Sequence, residues 1–212
     1  ISIKSNDEVI GMIFMNRIRI IGIVVFFSFY GSYYLKVFAQ NKKGIKTNQL
    51  GKGEKSKKTF FIEVALRITT FITAVTQVAS ILLNEKLSLF IDSNLARYFG
   101  LLTSSLGVGL IIVAMITMRD SWRAGINNTQ ETNIVTTGIY QYSRNPAFVG
   151  FDLFYIGLAL AFSNIYHILL AATSILLLHL QILEEEKFLS TTFGKEYLNY
   201  KEKVGRYFYP FE

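Results

Sequence analysis

An all-α integral membrane helical bundle, with five transmembrane helices and a cytoplasmic C-terminal helical segment, is the fold class this sequence predicts. Three observations carry that expectation. The 212 residues are 51% hydrophobic and only 17% charged, the apolar edge of soluble composition. The apolar residues gather into five runs of about 17 residues or more with almost no charge inside, the length that crosses about 30 Å of hydrocarbon. What remains is too short for a soluble domain of about 100 residues, so any chemistry must sit at or in the membrane.

The elements follow in order. Residues 1–14 begin at Ile1, with Met12 and Met15 the first methionines; they are expected to be upstream or non-native sequence and are set apart from the fold. The first span is Ile18 to Ala39. Val37-Phe38-Ala39 has the small-residue spacing of a signal cleavage site, but the apolar run before it exceeds the usual core of about 7 to 15 residues, so a retained span is expected. The second span is Phe60 to Leu83, the third Tyr98 to Met118, the fourth Pro146 to Phe162 and the fifth Ile165 to Leu183. Between the first two, the loop Gln40 to Thr59 carries Lys42, Lys43, Lys46, Lys52, Lys55, Lys57 and Lys58 against Glu54 alone, whereas Asn84 to Arg97 is balanced. By the positive-inside rule the lysine loop is cytoplasmic. Threading from it puts the N-terminus outside, the loop between spans three and four inside, the Ser163-Asn164 hairpin outside and the tail from Glu184 inside. Residues 15–135 thus hold spans one to three and the basic loop 40–59, and residues 136–212 hold the last two spans and the tail.

Composition also excludes chemistry. The sequence has no cysteine, which removes disulfides, thiolate metal sites and cysteine nucleophiles, and His167 and His179 are too few for a histidine zinc site. A formal net charge of +7 would suggest nucleic acid in a soluble protein. Here the lysines lie in a short inter-span loop without interleaved aromatics, so topology and contact with anionic lipid headgroups are expected and nucleic acid is not. The string GIKTNQLGKG is not a phosphate loop. Six residues rather than four separate Gly44 from Gly51, and Gly53 follows Lys52 where Ser or Thr is required.

The loop between spans three and four reads TMRDSWRAGINNTQETNIVTTGIYQYSRNPAFVGF, too patterned for a mere connection. Asn145 is a favoured N-cap and Pro146 fits the first helical position. A helix starting there, with Arg144 beside it, suits a ligand carboxylate through its dipole and a two-pronged hydrogen bond; a lipid-headgroup anchor is the plainer role for Arg144. Gly150, Gly157 and Ala161 leave one face of span four nearly without side chains, open to close approach by another helix or a flat ligand. Beyond span five come Glu184-Glu185-Glu186, whose charge near the headgroups calls for a cation nearby, Arg144, Arg123 or a ligand. Glu184 is expected on a solvated face, and the Glu185-Glu186 pair in a ligand site.

GIYQYSRNPAFVGF, followed about 35 residues later by EEKFLSTTFGKEYLNYKEKVGRYFYPF, resembles the C-terminal half of the isoprenylcysteine carboxyl methyltransferase family, which is related to the phospholipid methyltransferases. The resemblance covers roughly Thr136 to Pro210. It implies an S-adenosylmethionine-dependent membrane methyltransferase acting on a lipophilic acceptor, with the cofactor held on the cytoplasmic side between the last two spans and the tail. Carried onto the matching positions, it implies a cofactor site of Gly138, Tyr140, Arg144, Asn145, Pro146, Phe148, Gly150, Glu185, Glu186, Tyr197 and Tyr200, with Leu189, Phe193 and Gly194 also in register. The residue chemistry agrees: Arg144 suits the cofactor carboxylate, the glutamates its ammonium and ribose, and aromatics its sulfonium.

Two positions depart from the pattern. Asn145 stands where the family motif has histidine, and it hydrogen-bonds but carries no charge and is no base. Gln181 stands nearest to an arginine that, in eukaryotic members, suits the prenylcysteine carboxylate. The acceptor, an isoprenoid or lipid carboxylate, a thiol or an amine, therefore stays open. Trp122 and Arg123 are expected to close the site or touch the acceptor together with Gln181. His179 lies one face with Glu186, seven residues away; as an ionisable group within a span it is either a base for the acceptor or a neutral histidine bonded to a neighbour. His167 is expected at the membrane interface. Two rivals remain: a sterol-reductase-like NADPH-dependent membrane reductase, whose last spans resemble this pattern, and a non-catalytic lipid-binding protein on the same scaffold.

Overall fold

The computed structural model describes residues 6–126 and 133–208, with side chains from Met15 onward. Most of the segment set apart as residues 1–14, and the end of the motif at Pro210, lie outside what is described in full. Six α-helices follow one another: α1 (Asn6–Asn41), α2 (Lys57–Leu82), α3 (Asn94–Met118), α4 (Pro146–Ala161), α5 (Ile165–Phe193) and α6 (Lys195–Lys203). Short 3₁₀ turns occupy Arg119–Ser121 and Gly138–Gln141. The described residues form no strand, only an isolated bridge between Asn48 and Ala124.

Four segments are long and apolar enough to cross a membrane, Met15–Asn41, Lys57–Leu82, Asn94–Ser121 and Ile165–Phe193. The fifth apolar helix, α4, has 16 residues and reaches about 24 Å at 1.5 Å per residue. It stops short because its exit turn is built into the protein. Phe162, Ser163 and Asn164 are buried, Ser163 exchanges hydrogen bonds with Phe90 and Ile91, and Asn164 Nδ2 donates to Ser80 at 2.7 Å. Asn164 Oδ1 accepts the His167 N–H at 3.0 Å and so caps α5. His167, expected at the membrane interface, is drawn into this same turn. It is fully buried, with Nδ1 3.2 Å from the Phe162 carbonyl. At its other end α5 continues ten residues past the expected Leu183, which makes the three glutamates helical.

The tightest seam joins α3 to α4. A Cβ added to Gly107 would lie 2.6 Å from the Gly150 carbonyl, and one added to Gly157 would lie 2.4 Å from Ser104 N. Gly100 meets Gly157 and Ala161 in the same way. The small face of α4 is therefore a helix-packing surface, with Gly100, Ser104 and Gly107 as its counterpart on α3. On the other side of α4, Phe154 stacks on Phe29 of α1 with ring centroids 3.8 Å apart. The α2–α5 contact is pinned by a Thr73–Ser174 hydroxyl pair at 2.9 Å.

Gly107 and Gly109 give a matched test of the seam. Gly107→Ala places a methyl against backbone, whereas a Cβ on Gly109 meets nothing within 4 Å. Overpacking of this kind costs about 1–3 kcal/mol, so Gly107→Ala is expected to lower the melting temperature in detergent by about 3–10 °C. Gly109→Ala should leave it unchanged or slightly raised.

Candidate functional site

One end of the bundle gathers the lysine loop, the segment after α3 and the C-terminal tail. The first two are stitched by backbone: Gln49 N donates to the Ala124 carbonyl at 2.8 Å, and Ala124 N donates to Thr47 at 2.9 Å. Gln40 reinforces the joint from the end of α1, donating to the Trp122 carbonyl at 3.1 Å and accepting from Thr47 Oγ1 at 2.6 Å. Beneath it lies Glu63 of α2, completely buried. Its Oε1 accepts from Ile126 N at 2.9 Å and Gln181 Nε2 at 3.3 Å. Its Oε2 accepts from Gly51 N at 2.7 Å and pairs with the buried Lys55. Lys55 is thus not one more topological lysine. It neutralises an internal carboxylate that ties α2, α5 and both loops together.

A second knot fixes the tail. Glu186 accepts both prongs of Arg206, Nε at 3.1 Å on Oε1 and Nη2 at 3.0 Å on Oε2, and pairs with the buried Arg144 at 3.0 Å. The bond to Glu186 holds the Arg206 pKa above its ordinary value. The Asn145 side chain does not cap α4 as the sequence suggests. Its Nδ2 donates to Glu186 at 3.4 Å and to the Arg206 carbonyl at 3.2 Å, while Arg144 N donates to the Gly205 carbonyl at 3.0 Å. One residue on, Tyr207 hydrogen-bonds His179 Nδ1. α6 is held over the same end by Tyr200, whose hydroxyl donates to the Tyr140 carbonyl at 2.6 Å.

These knots enclose a cavity of about 750 Å³, within the range of small-molecule sites. Its polar end is lined by Tyr140, Arg144, Asn145, Gln181, Glu185, Tyr197 and Tyr200, with Trp122 and Arg123 from the loop after α3 and Phe148 from α4. From there it runs between α1 and α2 along Phe26, Phe29, Tyr30, Leu66 and Ala74 to Phe27, Tyr34 and Phe71, which are 65%, 65% and 70% exposed on the bundle's apolar exterior. Several polar atoms around it are buried without a partner: Arg144 Nε, Arg123 Nε, Tyr197 Oη, Trp122 Nε1 and Gln181 Oε1. Burial pushes the Tyr197 phenol up to about 12, so it is a neutral donor at physiological pH. Arg123 is partly buried, which lowers its pKa, and its Nη1 donates to the Asp120 and Trp122 carbonyls at 2.6 and 2.8 Å.

Five residues expected in the site do not line this cavity. Gly150 lies in the α3–α4 seam. Gly138 takes a positive φ of 61° in the turn before α4, where a Cβ would meet Thr117 at 3.0 Å. Pro146 opens α4, and Glu186 is committed to Arg144, Asn145 and Arg206. His179 shares the Glu186 face of α5, so it turns to Tyr207 rather than to the cavity, the neighbour-bonded arrangement that was one of the two expectations for it. Glu184 is also corrected: it is buried, 2.7 Å from Thr59 Oγ1 and 2.8 Å from Lys58 Nζ, rather than solvated. Sequence reasoning missed Glu63, Lys55 and Arg206. Glu63 had a signal, a carboxylate four residues into the second apolar run.

The fold and the cavity define a multi-pass helical membrane protein with a polar ligand site joined to an apolar one. Comparison with known proteins narrows the class. Residues 95–196, from α3 into α6, match the family described as phospholipid methyltransferase. The chain is also 31% identical over 116 residues to the protein-S-isoprenylcysteine O-methyltransferase of Saccharomyces cerevisiae, an overlap of 53% of this chain and 48% of the relative. The chain thus spans about half the length of the curated relative it matches. Both matches are to proteins named as methyltransferases, the class implied by the two sequence blocks around Arg144 and Glu185.

The Lys55–Glu63 pair supplies a stability test. Removing one partner of a buried pair leaves an uncompensated charge and costs about 3–5 kcal/mol. Lys55→Met is therefore expected to lower the melting temperature in detergent by about 10 °C or more, whereas Lys46→Met, on the exposed side of the same loop, should change it little.

Proposed function

We propose that this protein is an S-adenosylmethionine-dependent methyltransferase of the membrane, acting on a lipophilic acceptor that enters from the bilayer. The observation that carries the reading is the two-ended cavity: a polar pocket closed by α6 and the tail, continuous with an aromatic passage between α1 and α2 that reaches the bundle's apolar exterior. A soluble cofactor suits the first end, and an acyl or prenyl chain the second.

The residues present fit the cofactor. Arg144 Nε and the Tyr197 hydroxyl are buried donors without a protein partner, suited to a carboxylate. Glu185 lines the cavity with one oxygen engaged by Gln181 at 3.0 Å, leaving the other for an ammonium or a ribose hydroxyl. Tyr140, Phe148, Phe193 and Tyr200 add aromatic faces, which attract a flat base and a cationic sulfonium. S-adenosylmethionine, when bound, supplies an electrophilic methyl group. The chain's own task is then to hold two reactants in line and keep water out. Glu186 contributes by fixing Arg144 and docking the tail, and Trp122 and Arg123 by walling the acceptor side.

The convergence of lysine loop, Trp122 segment and tail on one end supports a cytoplasmic site, with the C-terminus inside and the N-terminus outside. Lys42, Lys43, Lys46 and Lys52 are exposed around it, a surface suited to anionic lipid headgroups.

Equilibrium binding of S-adenosylhomocysteine to the detergent-purified protein tests the reading. Saturable binding is expected, weakened about tenfold or more in Arg144→Ala and Glu185→Gln, the loss of one charge-assisted hydrogen bond at each position. Absence of binding to folded wild-type protein would sink it.

A further inference from the structure

Gln181 is a fully buried amide lining the polar end of the cavity, and its partners set its orientation. Both N–H groups are taken: Nε2 donates to Glu185 Oε1 at 3.0 Å from its own helix and to Glu63 Oε1 at 3.3 Å from α2. Turning the amide over would set its carbonyl oxygen 3.3 Å from Glu63 Oε1, an oxygen that already accepts from Ile126 N at 2.9 Å. Both Glu63 oxygens are already accepting, Oε2 from Lys55 and Gly51 N and Oε1 from Ile126 N, so the side chain has no geometry left in which to accommodate such a flip. The carbonyl oxygen, Oε1, is the atom left over. It is buried, has no partner, and carries two free lone pairs.

We propose that Gln181 Oε1 is the recognition point for the acceptor's head group, and that the head group is a hydrogen-bond donor, an amine, alcohol or thiol on a long apolar chain, rather than a carboxylate. A donor satisfies the orphaned oxygen. A carboxylate meets an acceptor backed by the Lys55-paired Glu63, and leaves Oε1 unsatisfied as well. The cavity's arginines do not offset this. Arg144 is paired with Glu186 at 3.0 Å and its free Nε is the donor assigned to the cofactor carboxylate, Arg123 gives its Nη1 to two backbone carbonyls, and Arg67 is on the exposed side of α2. The word acceptor rests on the methyltransferase reading; the preference for a donor rests on the amide alone.

Trp122 is the one tryptophan in the sequence and lines the cavity, so its fluorescence reports occupancy without turnover. The probes are three amphiphiles of equal chain length: a primary alcohol, its methyl ether and the fatty carboxylate. Titrated into detergent-purified protein, the alcohol is expected to bind about tenfold more tightly than the ether and more tightly still than the carboxylate. In Gln181→Met, which keeps the bulk and removes the acceptor, alcohol and ether should bind alike. Equal binding of alcohol and ether to the wild type, or tighter binding of the carboxylate, overturns the proposal. A donor preference found in protein that fails to bind S-adenosylhomocysteine would leave this inference standing and remove the methyltransferase reading instead.

Discussion

The completely buried carboxylate of Glu63 is the constraint on which the ligand site depends. Four groups from three separate chain segments converge on its two oxygens: Lys55 and Gly51 N, Ile126 N, and Gln181 Nε2. None of these segments has a packed core of its own. The lysine loop and the loop after α3 meet through an isolated bridge, and short polar loops of this kind are mobile unless their backbone groups are tied down. Glu63 supplies that tie from inside α2. Its desolvation is offset only because every lone pair is used and one partner is a cation, which makes the arrangement all-or-none: removing any partner leaves a buried charge short of its complement.

Glu186 plays the corresponding part for the tail, with a different chemistry. The Arg206 fork is bidentate and closes the chain back onto the Arg144-Asn145-Pro146 turn. The turn in turn depends on the α3–α4 seam, because backbone-to-backbone contact at Gly107–Gly150 and Gly100–Gly157 sets the depth and rotation of α4. Rigid helices thus carry the polar end, while the wall between α1 and α2 is aromatic and partly exposed. That division suits a site in which one ligand is gripped and another slides in from lipid.

Much of this was legible in the sequence, for identifiable reasons. Hydropathy gave the spans because hydrocarbon tolerates no unpaired backbone, and Pro146 marked the start of α4 because it fits only the first turn. The Gly150-Gly157-Ala161 stripe announced a close approach, and packing was the right reading of it. What the sequence left open was the direction in which each polar group points. Glu184, Glu185 and Glu186 are consecutive, so successive 100° steps around α5 send them to three environments: Lys58 and Thr59, the cavity with Gln181, and Arg206. Lys55 was indistinguishable from its six neighbouring lysines, since only the tertiary position of Glu63 singles it out. Asn145 carried a strong capping signal that lost to the Glu186 and Arg206 partners, which lie 41 and 61 residues away.

The polar end of the cavity has one further property that follows from these ties. Buried polar groups in folded proteins are almost always paired, and each left unpaired costs about 1–3 kcal/mol. Here the carboxylates and most guanidinium nitrogens satisfy one another, yet Arg144 Nε, Arg123 Nε, Tyr197 Oη, Trp122 Nε1 and Gln181 Oε1 are left over, and all five belong to residues of one cavity. Four of the leftovers donate and one accepts. A ligand pair consisting of a zwitterionic cofactor and a donor-bearing amphiphile satisfies that set, and an apolar ligand alone does not.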